Sequence, residues 1–152
     1  MKYWLMKSEP SEVSIDHLAD RPGQTVDWFG VRNYAARNFL RSMKKGDQAF
    51  FYHSSCPEPG IAGIVEIVGE AYPDPTQFDP SDAHFDPKSP RDNPRWSTVD
   101  VKLIRKVNLV PLATLRSEPA LAGLTILQKG NRLSVTPVDP EHARTVLQMA
   151  GV

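Results

Sequence analysis

Proline placement constrains this chain more than any other sequence feature. Of its 14 prolines, six fall within residues 73–95, beside five aspartates and hardly any aliphatic residue. Proline neither donates to a strand ladder nor continues a helix, and aspartate beside it favours turns. Residues 73–95 therefore read as one long loop. A loop of such length inside a compact domain is uncommon and is more often functional than not.

The regular elements come from the two flanks. Residues 3–7 form a short buried strand that ends at Ser8-Glu9-Pro10, and Ser14 caps a short helix ahead of Pro22-Gly23. Val31, Tyr34, Ala35, Phe39 and Met43 recur at helical spacing between Gly30 and Lys44-Lys45-Gly46, which gives the clearest helix. Residues 48–53 are an aromatic strand, and residues 61–71 a β-branched run with Gly60, Gly63 and Gly69 as bends or bulges. Beyond the loop, residues 96–109 read as one long strand with Val99, Val101 and Leu103 on one face. A short helix or turn at 112–116 follows, then a hairpin of 125–128 and 132–136 around Lys129-Gly130-Asn131. Asp139 and Pro140 open a final helix that turns Ala143, Val146, Leu147 and Ala150 inward. Five or six strands at irregular spacing, without alternating βαβ units, predict an α+β fold. Its sheet is curled and largely antiparallel, or a small barrel, with peripheral helices. The length of 152 residues fits one domain spanning 1–152.

Charge and cysteine content exclude several function classes. Eighteen basic and 18 acidic side chains cancel, which excludes an indiscriminately basic nucleic-acid coat. The one cysteine, Cys56, rules out an internal disulfide framework and fits a reducing, cytoplasmic setting. No apolar stretch reaches the roughly 18 residues of a membrane span, and the first residues lack a signal-peptide core. The chain is expected to be a monomer without membrane association.

Catalytic constellations are sparse. The four histidines are scattered, and no metal-ligand spacing appears, so neither a metal nor another cofactor is expected. His53-Ser54-Ser55-Cys56 sets a base beside nucleophiles, but no third group orients them. Gly60-Ile61-Ala62-Gly63 lacks the lysine and helix of a phosphate loop. Asp74, Asp79, Asp82 and Asp86, beside prolines, read as turn formers. Charge segregation is more informative: residues 28–46 hold Arg32, Arg37, Arg41, Lys44 and Lys45 and no acid. A basic face on a neutral protein suits local phosphate contacts made beside a specific readout, or else an ordinary solvated surface. Trp28, at a loop-to-helix junction, is either a core plug or a stacking plate. Tyr52, Tyr72, Phe85 and Trp96 sit where pocket walls are commonly built, and Trp4 and Phe50 read as core.

Several ordered segments carry a family resemblance. Tyr3-Trp4-Leu5-Met6-Lys7-Ser8-Glu9-Pro10, the run from Trp28-Phe29-Gly30 to Asn38-Phe39, Gly46-Asp47 to Tyr52-His53-Ser54, and Gly60-Ile61-Ala62-Gly63 resemble the EVE domain of the thymocyte nuclear protein family. Asp74-Pro75-Thr76-Gln77-Phe78-Asp79, Phe85-Asp86-Pro87-Lys88 and Pro94-Arg95-Trp96 continue it, with phenylalanine at 85 where the family is expected to carry tyrosine. The resemblance implies a PUA-like distorted β-barrel, similar to YTH domains. It also implies a non-catalytic module that binds a modified base, chiefly modified cytosine in DNA, or one in RNA. Lys7-Ser8-Glu9 and Trp28 match the strand end and cage tryptophan of that comparison. Asn33, Tyr34, Tyr72 and Phe85 join Ser8, Glu9 and Trp28 as pocket candidates by placement. Arg32, Arg37, Arg41, Lys44 and Lys45 are the phosphate candidates, and no catalytic residue is assigned. An enzyme acting on a base or small ligand in the same pocket, and a protein-interaction domain using the proline-rich loop, are the alternatives.

Overall fold

The computed structural model describes residues Met1–Val152. In chain order the elements are β1 (Tyr3–Ser8), α1 (Ile15–Asp20), β2 (Thr25–Asp27), α2 (Tyr34–Ser42), β3 (Gln48–His53) and β4 (Gly60–Ile67). There follow β5 (Tyr72–Pro73), β6 (Ser97–Thr98), β7 (Asp100–Pro111), α3 (Leu112–Ser117), β8 (Val135–Val138) and α4 (Pro140–Met149). Six strands make one sheet in the order β2-β7-β4-β3-β1-β8, and β5 and β6 form a separate ribbon. Every pair is antiparallel except β1 with β3. The α1, β2 and α2 segment supplies the long crossover that a parallel pair needs. The two edge strands do not meet, so the sheet curls as a half-barrel and stays open.

Strand alternation divides the core between the two faces of the sheet. Trp4 and Met6 of β1, Ala49 and Phe51 of β3, and Val65 and Ile67 of β4 pack beneath α1 and α2. Leu5, Phe50, Tyr52, Ile61 and Ile64 face the other way, against Leu115 of α3 and Ala143 and Val146 of α4. Tyr52 is thus core and walls no pocket. The register shifts at residues 61–63, as the glycine pattern predicts. A Cβ on Gly63 would lie 2.5 Å from Ile15 Cδ1 and 3.1 Å from the Arg105 carbonyl, so glycine lets α1 settle on the sheet.

Tertiary pairing overrides four local expectations. The run at 61–71 is not one strand: β4 ends at Ile67, Val68 N–H donates to the Asp100 carbonyl, and Tyr72–Pro73 joins the ribbon. The strand expected at 96–109 divides likewise into β6 and β7. No hairpin forms at 125–136: Thr125–Leu127 is a 3₁₀ turn that buries Ile126, and β8 instead takes the open edge of β1. Helix α2 starts three residues after Val31, with Asn33 accepting the Ala36 N–H as N-cap. That start turns Ala36 and Leu40 inward and leaves Tyr34 and Ala35 exposed, while Lys44 and Lys45 fall beyond the helix.

Asp47 fastens the turn between α2 and β3. Its carboxylate accepts the backbone N–H groups of Lys2 and Lys44 and the indole N–H of Trp4, each at 3.0 Å. Burial acts to raise its pKa, but these donors outweigh burial and hold the carboxyl below its ordinary value. Asp47→Asn is expected to lower stability by about 1–3 kcal/mol, the worth of hydrogen bonds to a charged acceptor, measured by urea unfolding. The contribution is present above the ordinary carboxyl pKa and is lost as pH falls through the depressed one. The variant should therefore lose less stability than the parent on acidification.

Candidate functional site

The parallel pairing of β1 and β3 ends both strands on the same side, with Ser8 opposite His53. A cavity of about 490 Å³ opens there. Lys7, Ser8 and Glu9 line it from the end of β1, and Ser54 and Ser55 from the turn after β3. Asp27 and Trp28 enter from the end of β2, Arg132 and Ser134 from the approach to β8, and His84 from the long loop.

Trp28 is both wall and plug. It is 6% exposed, and its ring packs edge-on against Phe51 at 5.3 Å and 85°. Its backbone N–H donates to the Val99 carbonyl at 2.8 Å, continuing the β2–β7 pairing by one residue. The next residues are fixed from the loop side. Asp74 Oδ2 accepts the Gly30 N–H at 2.8 Å and Arg32 Nη1 at 3.1 Å, and Oδ1 accepts from the Thr76 N–H and hydroxyl. Burial works to raise the Asp74 carboxyl, yet the Thr76, Gly30 and Arg32 donors hold it below its ordinary value. Gly30 has φ +85°, and a Cβ there would meet His84 Nε2 at 2.7 Å. Glycine is required both for that backbone and for the close approach of the loop.

The long loop is tightly knit. Gln77, fully buried, donates to the Asp74 and Trp96 carbonyls and accepts from the Ser89 hydroxyl and the Trp96 N–H. Asp79, Asp82 and Asp86 each accept a backbone N–H two residues on, which makes them the turn formers the sequence suggests.

Of the pocket candidates, Ser8, Glu9 and Trp28 come together at the cavity. Ser8 donates its hydroxyl to the Val13 carbonyl at 2.6 Å, while the Glu9 side chain is exposed at the rim. The other four lie outside the lining. Asn33 is the α2 cap, and Tyr34 stacks on Trp96 at 4.9 Å with the Arg37 guanidinium over its ring. Tyr72 donates to Asp100 at 2.6 Å; burial and that bond push its phenol well above the ordinary value. Phe85 sits on the outer loop surface, 37% exposed. Trp96, also considered as a wall, is buried beside Tyr34 with its indole N–H on Asp86.

Arg32 lines the cavity but departs from its expected role on phosphate. Its five N–H donors are spent on the His84 carbonyl twice, the Val31 carbonyl, Asp74 and Thr76. Arg37 and Arg41 donate to neutral acceptors only, namely Asn38, Ser97 and the Pro94 and Arg95 carbonyls, so no carboxylate neutralises them. His53 is engaged as well: its Nε2 accepts the Ile15 N–H at 3.1 Å, starting α1. Asp27 and Arg132 are cavity residues that the sequence did not single out, and Lys7 entered only as part of the matched strand end Lys7-Ser8-Glu9. Burial raises the pKa of Asp27 and lowers that of Lys7. The Asp27-Trp28 adjacency was the one available signal for the first.

Two changes test this bracing. Arg32→Met strips a buried carboxylate of its cation and is expected to cost about 3 kcal/mol, read by chemical denaturation. Burial lowers the pKa of His53, so the folded protein holds it neutral. Stability is therefore full above the unfolded-state value of about 6.5 and declines as pH falls below it. His53→Gln, which keeps an acceptor, should flatten that decline in thermal melts.

Comparison with known proteins places the chain. The model of the EVE domain matches residues 2–149. Thymocyte nuclear protein 1 of Homo sapiens is 48% identical over 164 residues, covering 97% of this chain and 73% of that protein. A crystal structure of a Pseudomonas syringae protein has a TM-score of 0.93 at 50% identity, over 97% of this chain and 99% of that one. Human THYN1, solved in complex with 5-methylcytosine containing DNA, has a TM-score of 0.93 at 46% identity, over 100% of this chain and 99% of that one. With this curled α+β sheet, this match along nearly its whole length and these relatives, the chain belongs to the EVE domain family.

Proposed function

We propose that the cavity receives a modified base, with 5-methylcytosine in DNA as the first candidate, and that the protein recognises this base without transforming it. The observation that carries the reading is the open cavity walled by Trp28, in a chain similar to a protein solved with DNA containing 5-methylcytosine. Extruding a base costs a few kcal/mol, and stacking on one aromatic returns about 1–3 kcal/mol. The remainder comes from polar edge contacts, for which Ser8 and Glu9 stand at the rim. Glu9 is the natural acceptor for an exocyclic amine.

Phosphates are met around the mouth. Lys7 and Arg132 line the cavity, and Arg37 and Arg41 on α2 with Lys44 and Lys45 just after it supply a further basic surface. The neutral partners of Arg37 and Arg41 leave their charges available to a backbone. Arg32 is left out of this set because its donors are already engaged.

Binding to duplexes with 5-methylcytosine or cytosine at one position, at fixed salt, tests the reading, with RNA as a parallel arm and product analysis for turnover. Trp28→Ala should weaken the modified duplex by roughly 5- to 150-fold, the worth of a stacking plane. An affinity within about twofold of the parent in a folded variant overturns the assignment of Trp28. Each lysine or arginine lost from the phosphate set should flatten the salt dependence by about one unit without changing base preference.

A further inference from the structure

Asp27 is the cavity's unassigned polar group. It closes β2 beside Trp28, half-buried, and no other residue engages its carboxyl by hydrogen bond or ion pair, whereas Asp74, Asp86 and Asp47 are each held by several donors. We propose that Asp27 reads the bound base as a neutral carboxylic acid, its carbonyl oxygen accepting from the exocyclic amine and its hydroxyl donating to the adjacent ring nitrogen. This rests on the cavity being a base site. The edge it fits has one ring acceptor beside one amino donor, as cytosine and adenine present, whereas the guanine amine lies beside a ring N–H donor. A neutral acid also avoids burying an unpaired charge against the base.

The surroundings favour the neutral form. Burial acts first and outweighs the residue's own backbone N–H, which favours the charged form; the carboxylates of Asp74 and Asp100 repel a charge at Asp27, and Arg21 opposes them. The Tyr72 phenol, bound to Asp100, adds no cation. On the remaining walls Glu9 and Glu12 are acidic and Lys7, Arg132 and His84 are basic or titratable. None of these comes within ion-pair distance of Asp27, and Arg32 is tied to Asp74.

The experiment is a binding series on the full chain with a 5-methylcytosine duplex, from about pH 5.5 to about pH 8.5 at constant ionic strength. Parent affinity should fall by up to about tenfold per pH unit once Asp27 ionises. Asp27→Asn offers the same donor and acceptor without a titration. It should bind within about threefold of the parent's acidic plateau and show a flat profile. A flat parent profile, or an Asp27→Asn variant that loses binding at every pH while folded, overturns the role of Asp27 and leaves the base site standing. No preference for the modified duplex at any pH overturns the base site itself, and the inference with it. In the free protein, the carboxyl ¹³C resonance of Asp27 should titrate above the ordinary carboxylate range, and titration within that range also overturns the proposal.

Discussion

The site depends on one buried carboxylate. Asp74 has a fully buried side chain, a costly position for a charge unless every lone pair is met. Four donors meet it: the Gly30 and Thr76 N–H groups, the Thr76 hydroxyl and the Arg32 guanidinium. Two of these belong to the segment that follows Trp28 and two to the long loop, so the ion pair is the seam between them. Arg32 extends the seam by clasping the His84 carbonyl with two donors, which brings the loop to the cavity mouth. Without Asp74 the loop and the tryptophan segment would each carry orphaned polar groups, and the indole would lose its fixed place.

The sheet determines where the cavity opens. Antiparallel neighbours end on opposite sides, but the parallel pair sends Ser8-Glu9 and Ser54-Ser55 out together. Both faces of the sheet are covered by helices and turns, and the cavity opens beyond the ends of these strands. β2 arrives there from the far edge through β7, which adds Asp27 and Trp28 as a wall from a different part of the chain.

Local chemistry made part of this legible in the sequence. The aromatic strands β1 and β3, the α4 helix opened by Pro140 and the aspartate turns of the long loop all follow from spacing and turn chemistry within a few residues. Elements decided by distant partners were not legible. The open edge of β1 captured residues 135–138, which dissolved the expected hairpin, and the β5–β6 ribbon interrupted two expected strands. The same division holds in the site. Ser8, Glu9 and Trp28 lie at element ends that the sequence marks, whereas Arg32 read as a free cation because its acceptors other than the Val31 carbonyl are contributed 42 to 52 residues later. Asn33 three residues before Ala36 is an ordinary N-cap pattern, which outcompeted its reading as a pocket group. Asp27, one acid on a short strand, is marked in the sequence only by its neighbour Trp28.

The electrostatic character of the cavity argues for what it admits. Burial moves Lys7 down and Asp27 up, so both groups are pushed toward their neutral forms. Those shifts disfavour an unpaired charge at these two positions, which agrees with the proposed guest, a flat, uncharged nucleobase that brings its own donors and acceptors. The same reading leaves the phosphate at the rim, where Arg132 is exposed. Zero net charge keeps non-specific attraction to nucleic acid weak. On the proposed reading, retention comes from the cavity itself, and a wall set before the base arrives favours it. The edge-on packing of Trp28 against Phe51, itself edge-on to His53, provides that rigidity. A preset wall spares the ordering cost that would otherwise offset the stacking gained.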